Sequence, residues 1–289
     1  MADDDPRLRP RTGATLLRLR QGHLDIEVFP PLLMKLAGLY RPDAARVCAE
    51  GSGILLDNLD PTALEAVARA LREHGEPCFV VPAAALVPLP PEHPVAHGQI
   101  LKDELELRDT AGKPHGGPWN KAIVLALGEL VTETQQVKHR TGSILNAKMG
   151  YGAMMGSVSG GLALGAVLGG VAAGGGTRDT VTHTSRDLTL DLVFLEAPRR
   201  YRIESGHFDY SLLGEQRAAT GEANLRTLAR WFLYTAPHMA TNVDRELLLA
   251  GQRPPLPRLH GPGFDGMVRW LINLVRFRKE AEAARGQTA

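Results

Sequence analysis

Cysteine, aromatic residues and net charge are all scarce in this chain, and each scarcity argues against a class of function. Only two of the 289 residues are cysteines, Cys48 and Cys78, and their spacing fits no metal-ligand pattern. Aromatic residues make up 5% of the chain, few for a protein that stacks nucleic-acid bases. Lys and Arg number 33 against 32 Asp and Glu, so a net charge of +1 provides no overall attraction for nucleic acid.

Recognisable catalytic and cofactor motifs are also missing. Gly176 is followed by Thr177 and Arg178, whereas a phosphate-binding loop needs Lys and then Ser or Thr after its last glycine. Ser157 and Ser159 do not fit the Gly-x-Ser-x-Gly turn of hydrolases. The ten histidines are scattered without metal-ligand spacing. The sequence therefore predicts a protein without enzymatic activity, cofactor, metal or bound nucleotide.

The N-terminus has no cationic segment followed by an apolar stretch, which a secretory signal peptide would require. We therefore expect the protein in the cytoplasm, with the inner face of the membrane as a further location.

An uncharged run of 28 residues, 149–176, is the most unusual feature that is present. Its glycines recur every fourth residue in two registers, Gly152, Gly156 and Gly160, then Gly161, Gly165 and Gly169. Small residues at this spacing form a smooth ridge on a helix, so that a second helix can approach closely. About 20 apolar residues at 1.5 Å each cross a bilayer core of about 30 Å. The run therefore predicts membrane insertion or close helix association.

Three arrangements of this run remain open: a membrane-inserted or membrane-lying helix, a tightly packed helix or hairpin in a soluble oligomer, and a flexible insert. The apolar density is high only over 162–173, about half of a bilayer span. Because the run lies between the strands predicted at 122–127 and 188–196, its two ends return to one domain. A re-entrant or hairpin arrangement therefore fits better than a single span.

Residues 13–82 predict a small α+β domain in the order strand, helix, helix, strand, helix, strand. Asp60 is a strong helix cap followed by Pro61 at the first helical position, and Gly75 ends that helix. The segment LDPTALEAVARALREHGEPCFVV resembles the C-terminal domain of the large ribosomal stalk protein and the related Clp protease adaptor. The adaptor's Asn-Asp signature is absent, so the resemblance implies the fold and a docking role, but not the adaptor's peptide specificity.

A proline-rich linker, 83–97, separates this domain from a second one at 98–250. Alternating residues predict strands at 99–108, 122–127, 188–196 and 200–204, and one helix with Asn224 as its cap closes the domain. This order resembles a bacterial pleckstrin-homology-like barrel, which implies an α+β protein with the glycine-rich run as an insert. The strand pair DELELRDTAGKPHGGPW and the segment FDYSLLGEQ resemble bacterial proteins of unknown function, which implies no activity.

Basic residues in two places suggest contact with an anionic surface. One group lies on the last predicted strand and the other on an amphipathic helix at 263–285; together they are Arg199, Arg200, Arg202, Arg269, Arg276, Arg278 and Lys279. The alternatives are a solvated strand face, with Tyr201 and Ile203 inward, and a terminal helix that packs on the protein itself.

Three functions are consistent with these features. The first is a non-enzymatic, membrane-associated protein that uses the glycine-rich run for insertion or helix association. The second is a soluble protein-binding or scaffold module that forms homo-oligomers. The third is an enzyme of a type without a recognisable motif. The expected partners are thus a membrane, another protein or a second copy of the chain.

Overall fold

The N-terminal part contains one three-stranded sheet covered by helices. It belongs to a computed structural model that describes residues 12–51, 53–139, 178–196 and 198–286. Its elements follow the predicted order: β1 (Ala14–Arg18), α1 (Phe29–Ala37), α2 (Arg41–Glu50), β2 (Ile54–Leu59), α3 (Pro61–Glu73) and β3 (Cys78–Pro82). Strand β1 lies in the middle and pairs antiparallel with both β2 and β3.

The predicted cap of α3 is confirmed, since the Asp60 side chain accepts a hydrogen bond from the Ala63 N–H at 2.8 Å. One face of the helix is buried against the sheet through Leu64, Val67, Ala68 and Leu71. The central strand β1 is buried along its whole length, including Arg18. Arg18 forms a salt bridge with Glu76, with 2.8 Å between Arg18 Nη2 and Glu76 Oε2.

The remainder of the chain builds two further sheets. Its elements are β4 (Glu92–Pro94), β5 (His97–Ile100), β6 (Glu104–Arg108), β7 (Pro114–Pro118), β8 (Ala122–His139), β9 (Arg178–Phe194), β10 (Arg199–Glu204), α4 (Gly221–Thr235), β11 (Ala240–Thr241), α5 (Arg245–Leu249), β12 (Arg258–Leu259), α6 (Gly261–Arg276) and α7 (Arg278–Gly286). Strands β5, β6 and β7 form an antiparallel sheet. The larger sheet has the order β11-β8-β9-β10-β4, and β12 also pairs with β8.

The α+β class is confirmed, but the described strands do not close into a barrel. The larger sheet ends in β11 and β4, which are only two and three residues long, and β5–β7 form a separate sheet. The strand predicted at 99–108 is interrupted, because the Leu101 N–H donates to the Glu104 carbonyl at 2.9 Å and turns the chain. Helix α4 is capped by Thr220 rather than by Asn224, which is buried within the first turn.

The proline-rich segment 83–97 packs against the protein instead of spanning free solvent. It contributes β4 to the larger sheet, with Tyr201 opposite His93 in a parallel register. The Asn273 side chain binds both the N–H and the carbonyl of Val87, at 2.8 and 3.1 Å. The segment therefore contributes to the compact unit that comprises the chain up to Thr132 and from Arg186 onward.

Helix α6 packs against both the N-terminal sheet and the larger sheet and forms a hydrophobic core with them. From α6, Phe264, Met267, Val268 and Leu271 are buried there. The N-terminal sheet contributes Leu17, Phe79 and Val81, and the larger sheet contributes Val124, Ala126 and Val193. The Trp270 indole N–H donates to the Arg18 carbonyl at 2.7 Å, and a Cβ at Gly53 would lie 2.3 Å from that ring. The apolar face of this helix is thus occupied by the protein's own sheets.

Candidate functional site

The glycine-rich run lies outside the described residues, together with the expected helix-association residues Gly152, Gly156, Gly160, Gly161, Gly165 and Gly169. The chain on either side of it is described. Strand β8 reaches His139, strand β9 begins at Arg178, and the two are neighbours in the same sheet. The strand predicted at 122–127 was therefore too short.

Short strands and side chains cover the edge of β8 that faces away from β9 as far as Val131. Strands β11 and β12 pair with it at 124–125 and 129–130. Between them, Asn242 acts as a substitute strand: its side chain accepts from the Leu127 N–H at 2.9 Å and donates to the Leu127 carbonyl at 2.8 Å. The ring of His260 contacts the Val131 carbonyl through Nδ1 at 3.1 Å. Such covering protects a sheet edge from pairing with other chains.

Beyond this covered stretch the two strands continue. Strand β10 accompanies β9 only from Thr189 to Phe194, and the Ser205 N–H donates to the Leu188 carbonyl. Within the described residues, no third strand accompanies β8 beyond 131 or β9 before 188. The outer part of both strands belongs to a second unit, Glu133–Ser185. A ribbon of only two strands is marginally stable in water on its own.

The basic residues expected at an anionic surface divide into buried and exposed ones. Arg200 and Arg202 are 4% and 7% exposed, so these two differ from the expectation of an accessible patch. Arg199 beside them is exposed. The expectation that Tyr201 and Ile203 face inward is confirmed. The strand is covered on both faces because α6 packs over the side that carries the two arginines.

The two buried arginines form an ionic cluster with three carboxylates. Arg202 makes a bidentate pair with the fully buried Asp191, with Nε–Oδ1 and Nη2–Oδ2 distances of 2.8 and 2.9 Å. Arg200 Nη1 lies 2.6 Å from Asp265 Oδ1 on α6. Glu92 of β4 contacts both guanidinium groups, at 3.2 and 2.5 Å. The cluster thus ties β4, β9, β10 and α6 together.

The pKa values reflect this burial. Desolvation raises the pKa of Asp191, and the hydrogen bond and charge of Arg202, followed by the charge of Arg200, oppose the rise. Desolvation by itself would lower the pKa of Arg202, but the hydrogen bond and the charge of Asp191 raise it above its ordinary value. Removal of either partner would therefore leave a buried charge, which is costly.

The basic residues of the terminal helices are arranged differently. Arg269 lies 3.3 Å from Asp57, and Arg278 lies 2.9 Å from Glu282 one turn away. Arg276 and Lys279 are exposed. The predicted amphipathic helix at 263–285 is in fact two helices, since α6 ends before Phe277 and α7 follows.

Two histidine rings lie near Tyr201, on the face of β10 opposite to Arg200 and Arg202. The rings of His93 and His115 are 5.6 Å apart, and Tyr201 Oη accepts the Gly116 N–H at 3.1 Å. His115 Nε2 lies 3.0 Å from Asp109, whose pKa is lowered mainly by that hydrogen bond. In the part of the chain that the structure describes, no three His, Cys, Asp or Glu side chains come together as metal ligands would.

A groove along α4 and α5, here called the α4–α5 groove, was not predicted from the sequence. Its wider part has a volume of about 600 Å³ and is lined by Ile100, Gln216, Arg230, Trp231, Tyr234, Thr235 and Leu249. A smaller cavity of about 220 Å³ shares Arg230 and adds Arg226, Gly251 and Arg253 among its lining residues. The spacing of 226, 230 and 234 on the outward face of a predicted helix is the signal that could have revealed it.

None of the helices found between residues 12 and 139, or between 178 and 286, combines the length and hydrophobicity needed to cross a bilayer. Comparisons with protein families, with curated proteins and with solved structures give no match.

Proposed function

We propose that this is a non-enzymatic protein that associates with a membrane through its glycine-rich run. The observation that carries the proposal is the position of the run between β8 and β9, which are neighbours in one sheet. A segment that begins and ends at neighbouring strands would enter the membrane as two limbs of a hairpin instead of crossing it once. Each half of the 28 residues would extend about 21 Å as helix, shorter than a bilayer core of about 30 Å.

The two glycine registers support this arrangement. The first register ends at Gly160 and the second begins at Gly161, so each limb would carry one register and present a smooth face to the other. A re-entrant hairpin would then enter one leaflet from the cytoplasmic side. Arg199, Arg276 and Lys279 remain exposed for contact with anionic lipid, whereas Arg200 and Arg202 are engaged in the ionic cluster.

Flotation with lipid vesicles tests this proposal. The full chain is mixed with vesicles of phosphatidylethanolamine and phosphatidylglycerol, and compared with a variant in which residues 149–176 are replaced by a short Gly-Ser linker. We expect the full chain to float with the vesicles and the variant to remain at the bottom of the gradient. Equal flotation of both proteins, or of neither, would contradict the proposal.

Homo-oligomer formation through the same segment is the second candidate. The two-stranded continuation of β8 and β9 favours it, because such a ribbon needs further packing to be stable. Light scattering in detergent-free buffer distinguishes the two functions. An oligomer that becomes a monomer when 149–176 is replaced supports assembly, whereas a monomer in both cases argues against it.

A further inference from the structure

The α4–α5 groove combines unpaired positive charge with exposed aromatic surface. We propose that it binds a short acidic segment of a partner protein, one that carries a carboxylate close to a bulky apolar side chain. This binding site goes beyond the membrane association proposed above and rests on different residues. Three properties of the groove lead to it: its charge, its apolar surface and its length.

Within the described residues, the positive charge of the groove is not balanced by carboxylates. Arg230 and Arg253 have no carboxylate partner among the described residues. Arg226 is paired with Glu222 at 3.4 Å, and its buried Nε has no hydrogen-bond partner in the described part of the chain. Three guanidinium groups with one carboxylate leave an excess charge of about +2 in a partly desolvated groove, where hydrogen bonds to a carboxylate are strong.

The apolar surface lies directly beside these charges. Tyr234 follows Arg230 by one helical turn and is 82% exposed. Leu249 of α5 is 37% exposed. The indole of Trp231 is held in place, since its Nε1–H donates to Gln216 Oε1 at 3.1 Å. Tyrosine, tryptophan and arginine, which together line this cavity, are the residue types that dominate binding energies at protein interfaces.

The length of the groove fits an extended peptide. Its two cavities follow successive turns of α4 from Arg226 to Tyr234 and share Arg230 as a lining residue. Eight residues of helix correspond to about 12 Å, which is the length of about four residues of extended chain. A carboxylate at Arg230 and Arg253 would thus place a side chain two or three positions away against Tyr234 and Leu249.

The backbone beside Arg230 also leaves room for its guanidinium. Gly251 has a φ of +76°, and a Cβ at this position would lie 3.0 Å from Arg230 Nη1. A side chain at position 251 would therefore compete with the guanidinium for the same space.

Selection from a random heptapeptide phage library on the immobilised full chain tests the proposal, with the Arg230→Glu variant used for counter-selection. A fluorescein-labelled peptide of the most enriched sequence is then titrated by fluorescence anisotropy. The proteins titrated are the wild type, Arg230→Glu, Tyr234→Ser and, as a control, Arg69→Glu, which changes an exposed arginine on α3. Circular dichroism confirms that each variant is folded.

We expect enriched sequences with Asp or Glu within three positions of Phe, Trp, Tyr or Leu. Each groove substitution should weaken binding at least about tenfold, while the control stays within about twofold of the wild type. Enriched sequences without an acidic residue, or equal affinity for wild type and Arg230→Glu, would overturn the proposal. Loss of binding to phosphatidylserine vesicles in Arg230→Glu, with no peptide enriched, would also overturn it and assign the groove to lipid.

Discussion

Two clusters of arginines in this molecule differ in what surrounds them. Arg200 and Arg202 are almost completely buried and face Asp191, Glu92 and Asp265. In the α4–α5 groove, by contrast, three arginines lie near a single carboxylate, and two of them have no acidic partner among the described residues. The first cluster joins elements of the fold, whereas the second leaves its charge available to a ligand.

Closeness in the sequence is a poor guide to an exposed basic surface. Arg199, Arg200 and Arg202 are adjacent in the chain, and this favoured a surface patch. Strand geometry places Arg200 and Arg202 on one face, and α6 covers that face. Arg226 and Arg230 are separated by three residues, yet one helical turn brings them together on an open face.

The largest effect is expected from Arg202→Met, which tests the buried cluster. The substitution leaves the Asp191 carboxylate buried without its bidentate partner. Breaking a buried ion pair in this way costs about 3–5 kcal/mol, so we expect a loss of that size in the free energy of unfolding. Urea denaturation at neutral pH measures it. A loss below about 1 kcal/mol would contradict a structural role for the cluster.

Two controls identify the cause of that loss. The double variant Arg202→Met, Asp191→Leu removes both charges, and we expect it to recover most of the stability, because apolar replacement of buried ion pairs is often neutral. Acid provides the second control. Loss of Arg202 raises the folded-state pKa of Asp191 further, so a lower pH favours the folded state with Asp191 protonated. The loss of unfolding free energy in Arg202→Met should therefore be smaller at about pH 5 than at about pH 7.

Arg18 provides an intermediate case, with one strong carboxylate partner. Arg18 and Arg20 donate hydrogen bonds to Glu76 and lower its pKa, although partial burial of this carboxyl acts in the opposite direction. Glu76→Gln leaves the buried Arg18 without its charge partner, and we expect a loss of about 1–3 kcal/mol at neutral pH by urea denaturation.

The pH dependence of this variant has a definite sign. A lowered folded-state pKa contributes stability above the unfolded pKa, and that stability is lost as pH falls through the folded value. The wild type should therefore lose more stability than Glu76→Gln as pH falls below about 4.5, the ordinary pKa of Glu. Parallel curves for the two proteins would show that the pair does not contribute to acid sensitivity.

Much of the N-terminal fold could be predicted, because its signals are local. Asp60, Pro61 and Gly75 determine where α3 begins and ends, and each acts on its own turn of the backbone. The continuation of β8 to His139 could not be predicted in this way. Its residues beyond Val131 are mainly polar, and the strand depends on hydrogen bonds to β9, which begins 39 residues after the end of β8.

The partners of charged residues were even less predictable. Arg200 lies 65 residues before Asp265 and 108 residues after Glu92, so no local pattern links the members of the cluster. The groove was not predicted for a different reason. Apolar periodicity indicates the inward face of α4, with Leu225, Leu228 and Phe232, whereas the groove depends on the charged and aromatic residues of its outward face.

A smaller effect is expected from Gly251→Ala, which tests the turn beneath Arg230. A residue with a Cβ at φ +76° is strained by about 1–2 kcal/mol, and the new methyl group would press on Arg230 Nη1. Gly266→Ala is the matched control, because its Cβ would meet nothing within 4 Å and alanine favours the helix. Thermal denaturation of both variants measures the difference, and equal melting temperatures would argue against the strained turn.

The smallest effect is expected from Arg230→Gln, and its small size is what distinguishes the groove from the buried cluster. Because Arg230 has no acidic partner in the described residues, the substitution removes no ion pair and relieves repulsion with Arg226 one turn away. We expect urea denaturation to give a free energy of unfolding within about 0.5 kcal/mol of the wild type, with a slight gain at low ionic strength. Arg69→Gln on α3 controls for the loss of one positive charge. A loss above about 1 kcal/mol in Arg230→Gln alone would mean that the fold itself uses this guanidinium. The contrast between a structural and an available arginine cluster would then no longer hold.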